Sequence, residues 1–250
     1  MCGICGEVAF DASPASASAL QAMSDALAPR GPDGSGILVR GPVGFGHRRL
    51  KIIDLSERAA QPMTDPALGL SVVFNGCIYN YRSLRSELEG LGYSFFSNGD
   101  TEVVLKAWHA WGDRCPERFN GMFAFAVHER DSGRVILARD RLGIKPLYYA
   151  ELPGRLRFAS TLPALLAAGG VDTSIDPVAL NHYLSFHAVV PPPRTILKGV
   201  RKLPPATVRV IESDGRVRDR SYWRLSYEHA GADDRTSREE WRDRLGAALR

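Results

Sequence analysis

The alternation and spacing of apolar residues predict many short strands interrupted by amphipathic helices. The predicted strands are residues 2–10, 37–39, 43–50, 70–74, 121–127, 135–139, 147–150, 156–160, 207–211 and 216–223. The predicted helices are residues 18–28, 80–92, 100–112, 161–168 and 176–185, with a last one that starts at a capping box of Ser237 and Glu240. Residues 54–70 are polar and contain proline, so they are predicted to form a loop.

The strands come in runs separated by helices and do not alternate strictly with them. This order favours an α+β fold with largely antiparallel sheets over a doubly wound parallel fold. The chain has 250 residues, 44% of them hydrophobic and 24% charged, which is typical of a globular protein with one large domain or one domain and part of another.

Charge and hydropathy exclude several classes of protein. The 32 basic and 28 acidic residues give a net charge of +4 and are scattered, so nucleic-acid binding is not expected. No apolar run approaches the roughly 18 residues of a membrane span, and the first ten residues lack the features of a signal peptide. We therefore predict a cytoplasmic protein without a membrane partner, in which four cysteines remain reduced.

The N-terminal segment Met1-Cys2-Gly3-Ile4-Cys5 is the first candidate for chemistry. Removal of Met1 would leave Cys2 with a thiol and a free α-amine, which is a nucleophile and a base on one residue. An α-amine has a pKa of about 7.7–8.0 and moves protons near neutral pH. Two alternatives are a chance Met-Cys start and a Cys2-x-x-Cys5 zinc or dithiol site. The second lacks further ligands, and a strand would place the two cysteines on opposite faces.

Four further residues supply the three functions that a thiol needs to cleave the amide of an amino acid. Asn75 and Gly76 offer a side-chain amide and an unhindered backbone N–H for an oxyanion, although Asn-Gly is more often a hairpin turn. Arg49 can bind a carboxylate through two parallel hydrogen bonds, or can belong to a solvated basic edge. Asp100 can hold an ammonium group, or can be a plain helix N-cap.

The order of these motifs resembles the class II glutamine amidotransferases, in the branch of glutamine-hydrolysing asparagine synthetase. The motifs that carry the resemblance are Met1-Cys2-Gly3-Ile4, Arg30-Gly31-Pro32-Asp33, His47-Arg48-Arg49-Leu50, Ile52-Ile53-Asp54, Gln61-Pro62-Met63, Phe74-Asn75-Gly76, Gly99-Asp100-Thr101-Glu102, residues 121–126 and residues 139–149. Together they cover essentially residues 2–225.

The resemblance implies a four-layer αββα sandwich of the N-terminal-nucleophile hydrolases. It also implies that the chain releases ammonia from glutamine for an ATP-dependent amidation. The implied roles are Cys2 as nucleophile with its α-amine as proton shuttle, Asn75 and Gly76 as oxyanion hole, Arg49 on the substrate carboxylate, Asp100 on the ammonium, and the backbone near Ile52 and Ile53 as pocket wall.

The same resemblance implies two domains, and the composition of the chain changes at Pro191-Pro192-Pro193. Residues 2–190 form the predicted glutaminase domain. Residues 191–250 form a linker and the start of an asparagine-synthetase-like domain that lacks the ATP pyrophosphate loop. We therefore expect no metal and no cofactor in this chain, with ATP and magnesium needed only by the absent synthetase domain.

The expected partners are L-glutamine and an ATP-dependent synthetase domain or subunit. A second copy of the chain, in a homodimer, is a further candidate partner. The last predicted helix carries Trp241, Leu245 and Leu249 on one face, which is typical of a surface that meets a partner.

One position departs from the resemblance. Asparagine synthetases usually have a glutamate where this chain has Cys77, and that glutamate helps to hold the substrate ammonium. The run Asn75-Gly76-Cys77-Ile78-Tyr79-Asn80 is more similar to the N-acetylglutaminylglutamine amidotransferases, which amidate a dipeptide. The alternative function is a catalytically weak binding or regulatory module of the same fold.

Overall fold

The computed structural model describes residues 1–226 and 237–248. Its strands are β1 Gly3–Ala9, β2 Gly34–Arg40, β3 Val43–Arg49, β4 Met63–Asp65, β5 Leu70–Ile78, β6 Gly121–Glu129, β7 Val135–Arg139, β8 Tyr148–Leu152, β9 Arg155–Ala159, β10 Arg201–Lys202, β11 Thr207–Ile211 and β12 Val217–Ser221. Its helices are α1 Ala17–Ala26, α2 Tyr81–Gly90, α3 Asp100–Trp111, α4 Cys115–Arg118, α5 Leu162–Ala167, α6 Pro177–Ser185 and α7 Arg238–Ala248.

The first sheet has the strand order β10-β8-β9-β1-β3-β2, and its neighbouring strands are antiparallel. The N-terminal strand β1 lies in its interior, where it pairs with β3 on one side and β9 on the other. Gly3 is opposite Arg48 in this register. The chain start is therefore fixed against the end of β3 by a ladder of backbone hydrogen bonds.

The second sheet has the order β12-β11-β7-β6-β5-β4 and is also antiparallel. Its two central strands, β5 and β6, pair without interruption from Leu70 opposite Glu129 to Ile78 opposite Gly121. Because this ladder runs the full length of both strands, it holds every residue of β5 in a fixed register.

Three hydrophobic clusters separate four layers. One cluster joins the facing sides of the two sheets, with Ile4 and Phe45 from the first sheet against Val73 and Leu137 from the second. A second cluster packs α2 and α3 on the outer face of the second sheet. A third packs α1 and α5 on the outer face of the first sheet. The α+β class and the αββα sandwich are confirmed.

Two local predictions were wrong. The stretch 54–70 is not only loop, because Met63–Asp65 adds strand β4 to the edge of β5. The strand predicted to end at residue 74 continues to Ile78, so Asn75 and Gly76 lie within β5 and not after it. Pairing with β6 along its whole length extends the strand through the polar Asn-Gly pair.

The sheets also continue past the predicted domain boundary at residue 190. Strand β10 pairs with β8, and β11 pairs with β7. The division of the chain into two domains stays a prediction.

The last described element is helix α7, Arg238–Ala248. The predicted capping box is present, since Glu240 accepts from the backbone N–H of Ser237 at 2.7 Å and the Ser237 hydroxyl accepts from that of Glu240 at 3.2 Å. Trp241 and Leu245 are exposed, and Leu249 lies outside the described residues. No described helix has the length and apolar character needed to cross a bilayer.

Candidate active site

One cavity of about 260 Å³ brings together every residue that the sequence assigned to a site. These residues are Cys2, Arg49, Ile52, Ile53, Asn75, Gly76 and Asp100. They come from the chain start, the end of β3, the loop after it, the second half of β5 and the first turn of α3. The cavity thus takes residues from both sheets and from one outer helix.

Cys2 lies directly before β1 and is half-buried. Its Sγ accepts from the backbone N–H of Leu50 at 3.4 Å and lies 3.7 Å from the carbonyl oxygen of the same residue. The Nε of Arg30 donates to the Cys2 carbonyl at 3.1 Å. Arg30 can approach because the next residue is Gly31, where a Cβ would lie 2.3 Å from the carbonyl carbon of Arg48.

Asn75 and Gly76 face the cavity from within β5. Asn75 is 1% exposed, and its Nδ2 has no hydrogen-bond partner among the described residues. A buried amide N–H without a partner is costly and marks a position where a ligand atom is expected. At Gly76 a Cβ would lie 2.5 Å from the carbonyl oxygen of Met122. Close pairing with β6 therefore requires glycine at this position.

Asp100 is the first residue of α3, and Gly99 is the N-cap without a side-chain capping bond. The interpretation of Asp100 as a plain N-cap is therefore wrong. Its Oδ2 accepts from the backbone N–H of Ile78 at 3.0 Å. Burial raises the pKa of Asp100 to about 6, against the opposing effect of this hydrogen bond and of the N–H groups of the helix start.

Arg49 is 6% exposed and uses part of its guanidinium to hold the loop that follows β3. Its Nη1 donates to the carbonyl of Ser56 at 2.9 Å, and its Nη2 donates to the carbonyl of Asp54. The Asp54 carboxylate accepts from the backbone N–H of Asn98 at 2.8 Å, which ties the same loop to the segment before α3. A guanidinium has five N–H donors, so these two bonds leave others for a ligand.

The loop held by Arg49 carries Ile52 and Ile53. Ile52 lines the cavity although it is 71% exposed. The expectation that the backbone of this segment forms the pocket wall stays a prediction.

Sequence reasoning did not assign Gln61 and Lys145 to the site. Gln61 accepts from the backbone N–H of Phe74 at 2.6 Å and donates to the Thr101 hydroxyl at 3.1 Å. It thereby joins β5 to α3 beside the cavity. Both residues stand in motifs quoted for the resemblance, and that was their only signal, since nothing in the local sequence places them next to Cys2.

The alternative of a site built by Cys2 and Cys5 does not fit the structure. Cys5 is fully buried in the cluster between β1 and α1, whereas Cys2 lines the cavity. Burial raises the pKa of the Cys5 thiol to about 12, which makes it a poor ligand and a poor nucleophile. Within residues 1–226 and 237–248, no group of three or more His, Cys, Asp or Glu side chains is placed to hold a metal ion.

Comparison with protein-family models identifies the family of this chain. The model described as a glutamine amidotransferase domain matches residues 1–223. This chain is a member of that family.

Several curated relatives of this glutamine amidotransferase domain are named asparagine synthetases. It is 35% identical to asparagine synthetase [glutamine-hydrolyzing] 1 of Bacillus subtilis, over 98% of this chain and 39% of that protein. It is 38% identical to a putative asparagine synthetase of Mycobacterium tuberculosis, over 84% of this chain and 35% of that protein. The chain therefore spans a little over a third of the length of the curated relatives it matches.

A solved structure supports the fold independently of these sequences. The glutamine phosphoribosylpyrophosphate amidotransferase of B. subtilis, complexed with ADP and GMP, superposes with a TM-score of 0.65 at 19% identity. The match covers 88% of this chain and 49% of that chain. The two proteins therefore share this fold.

Proposed function

We propose that this domain hydrolyses L-glutamine to L-glutamate and ammonia, with Cys2 at the N-terminus of the processed chain as the nucleophile. The observation that supports this most is the convergence of Cys2, Asn75, Gly76, Arg49 and Asp100 on one cavity. These residues match the requirements of amide cleavage in an amino acid: a nucleophile, oxyanion donors, a cation and an anion.

The reaction begins with the free α-amine of Cys2, which exists once Met1 has been removed. The amine takes the thiol proton while sulfur adds to the side-chain carbon of glutamine. The same proton then passes to the nitrogen of the tetrahedral intermediate, whose C–N bond breaks to release ammonia and leave a thioester on Cys2. Water cleaves the thioester to glutamate and restores the thiol. Removal of Met1 also clears space, because Met1 lines the cavity.

Oxyanion stabilisation falls to Asn75 and Gly76. The unpartnered Nδ2 of Asn75 is a buried donor that loses nothing when it binds the tetrahedral oxyanion. One donor of this kind typically contributes about 2.7–4 kcal/mol to transition-state stabilisation. Because Asn75 is held within a fully paired strand, its position is fixed before substrate arrives.

The amino-acid end of glutamine is bound by Asp100 and Arg49. Asp100 attracts the α-ammonium, and the free N–H groups of Arg49 donate to the α-carboxylate. Cys77 lines the same cavity but carries no charge at neutral pH, because burial and the nearby Asp100 raise its pKa. Asp100 therefore supplies the ammonium contact without the help that a glutamate at position 77 would give.

The ammonia serves an ATP-dependent amidation carried out by a synthetase domain or subunit. This rests on two longer relatives, one named as a glutamine-hydrolysing asparagine synthetase and one as a putative enzyme of the same kind. We propose no cofactor or metal for the glutaminase step, and a reduced, cytoplasmic setting in which the four free thiols persist. The identity of the acid that is amidated stays a prediction, including the dipeptide suggested by the Cys77 motif. The formation of a homodimer also stays a prediction.

The test is glutamine hydrolysis by the purified chain and by Cys2→Ala, followed as glutamate formation. A matched control is Cys115→Ala, which removes a buried cysteine outside the cavity. Turnover by the wild type and Cys115→Ala that is lost in Cys2→Ala supports the proposal. Equal turnover in Cys2→Ala contradicts it, and a folded wild-type chain that binds glutamine without turnover favours the regulatory alternative.

A further inference from the structure

Lys145 places a buried ammonium group in the same cavity. It lies between β7 and β8 and is 4% exposed. Its Nζ donates to the Sδ of Met1 at 3.1 Å, and no carboxylate oxygen of the described residues lies within ion-pair distance of it. A thioether sulfur is a weak acceptor, so this ammonium lacks the partner that a buried charge normally has.

The backbone that carries Lys145 is fixed on both sides. Asp140 Oδ2 accepts from the N–H of Lys145 at 2.9 Å and from that of Phe123 at 3.1 Å, which ties the segment to β6. Arg139 Nε donates to the carbonyl of Lys145 at 2.8 Å. Asp140 and Arg139 are themselves buried. The Lys145 side chain therefore extends from an immobilised backbone and lines the cavity.

The partner of Lys145 is lost when the chain matures. Removal of Met1 takes away the sulfur on Nζ and creates the α-amine of Cys2, which lines the same cavity as Lys145. Burial and the neighbouring Arg30 lower the pKa of Lys145, so holding its charge inside the fold is unfavourable. A neutral side chain at this position would avoid that cost.

We propose that Lys145 is an electrostatic group of the glutaminase site: its ammonium keeps the α-amine of Cys2 neutral and favours negative charge on the Cys2 sulfur. This inference rests on the proposed function and adds a residue to it. A nearby positive charge disfavours a second one and stabilises a developing anion. Both effects make the amine–thiol pair competent at lower pH.

Other charged and titratable groups face the same site as Lys145. They are Arg30, Arg49, Asp54, Cys77, Asp100 and Asp140. Arg30 acts in the same direction as Lys145. Asp54 and Asp140 each accept two or more backbone N–H groups, which offset their charge.

A second role for Lys145 would be to bind the substrate carboxylate in place of Arg49. The two roles differ in kinetics. Loss of a carboxylate contact raises KM and leaves the pH dependence unchanged, whereas loss of an electrostatic group on Cys2 moves the acid limb of kcat/KM.

The experiment compares Lys145→Met, Lys145→Gln and Lys145→Arg in the processed chain, after thermal melting has shown which variants fold. Lys202→Met is the control, because Lys202 is a partly buried lysine that donates to the Val190 carbonyl away from the cavity. We expect the acid limb of kcat/KM for glutamine to move up by about one pH unit in the two neutral variants. Lys145→Arg and Lys202→Met should keep the wild-type profile.

A second readout does not use glutamine. The rate at which iodoacetamide alkylates Cys2, followed by peptide mass, should fall several-fold in the neutral variants at pH 6.5 and recover in Lys145→Arg. Unchanged pH profiles and alkylation rates overturn the proposal, as does a displaced profile in Lys145→Arg. If neither neutral variant folds, Lys145 is a structural residue and the proposal is wrong. If the wild type does not hydrolyse glutamine, the proposed function fails while alkylation still decides the role of Lys145.

Discussion

The backbone N–H of Ile78 donates to Asp100 Oδ2 at 3.0 Å, and this bond connects the end of β5 to the start of α3. It sets the carboxylate proposed to hold the substrate ammonium at a fixed distance from Asn75 and Gly76, which lie three and two residues before Ile78 in the same strand. The bond also leaves Asp100 buried, and that burial has consequences for binding and for stability.

Glutamine binding should weaken below about pH 6. Burial raises the pKa of Asp100 to about 6, so the carboxylate is ionised above that pH and neutral below it. The α-ammonium of glutamine stays charged throughout this range, and its partner is lost as pH falls. We expect KM to rise on going from pH 7.5 to pH 5 in steady-state assays. In Asp100→Asn the KM should be high and nearly constant over the same range, and a flat KM in the wild type would contradict this role.

The same residue should cost stability at neutral pH. The folded pKa of Asp100, about 6, lies above the ordinary value of 3.8, so its favourable contribution is complete below pH 3.8 and is lost as pH rises through 6. Asp100→Asn keeps an acceptor for the Ile78 N–H and removes the buried charge. The variant should be more stable than the wild type by up to about 3 kcal/mol at pH 8, and the gain should shrink toward pH 4.5. Urea unfolding of Asp100→Asn and the wild type at pH 8 and at pH 4.5 measures the gain in stability at each pH. An equal gain at the two pH values would show that ionisation of Asp100 is not the cause.

Asn75→Ala should lower kcat by about 10²- to 10³-fold with little change in KM, because the amide acts on the oxyanion and not on the ground state. The fold should survive, since the Nδ2 of Asn75 has no partner to lose among the described residues. Steady-state kinetics and a thermal melt test this together. Asn181→Ala, an exposed position on α6, is the matched control. A large rise in KM with kcat unchanged would instead place Asn75 in substrate binding.

Much of the fold was predictable because it is local. The hairpin of β2 and β3, the strands on either side of residues 130–134, and α1 each follow from a periodic pattern bounded by turn residues. The extension of β5 through Asn75 and Gly76 was not predictable. It depends on pairing with β6, which begins at Gly121, and a polar Asn-Gly pair ordinarily indicates a turn.

Gly76→Ala should damage both stability and activity. A Cβ at this position would lie 2.5 Å from the Met122 carbonyl oxygen and 2.9 Å from the Phe123 Cα, so β5 or β6 must shift. We expect a loss of about 1–3 kcal/mol in the free energy of unfolding, with a fall in turnover because Asn75 moves with the strand. Urea unfolding and glutamine turnover measure the two effects.

Gly90→Ala provides the comparison for Gly76→Ala. Gly90 is the last residue of α2, and a Cβ there meets no atom within 4 Å. The substitution should be neutral or slightly stabilising, by up to about 1 kcal/mol. Similar losses at the two positions would mean that close pairing of β5 with β6 is not what Gly76 provides.

The candidate site was predictable as a set of residues but not as a geometry. The order of motifs identified Cys2, Arg49, Asn75, Gly76 and Asp100, and all line one cavity. The sequence could not show that the Arg49 guanidinium also holds the carbonyls of residues 54 and 56. The position of Lys145 was likewise hidden, because it is separated from Cys2 by more than half the chain and the two residues meet in one cavity only in the folded protein.

The central claim is that Cys2, freed from Met1, is the nucleophile. The most direct measurement is peptide mass spectrometry of the active chain after incubation with an electrophilic glutamine analogue. We expect a chain that begins at Cys2, one adduct on that residue and loss of glutamine turnover in proportion to labelling. Active protein that retains Met1, or an inactivating adduct on a residue other than Cys2, would contradict the account.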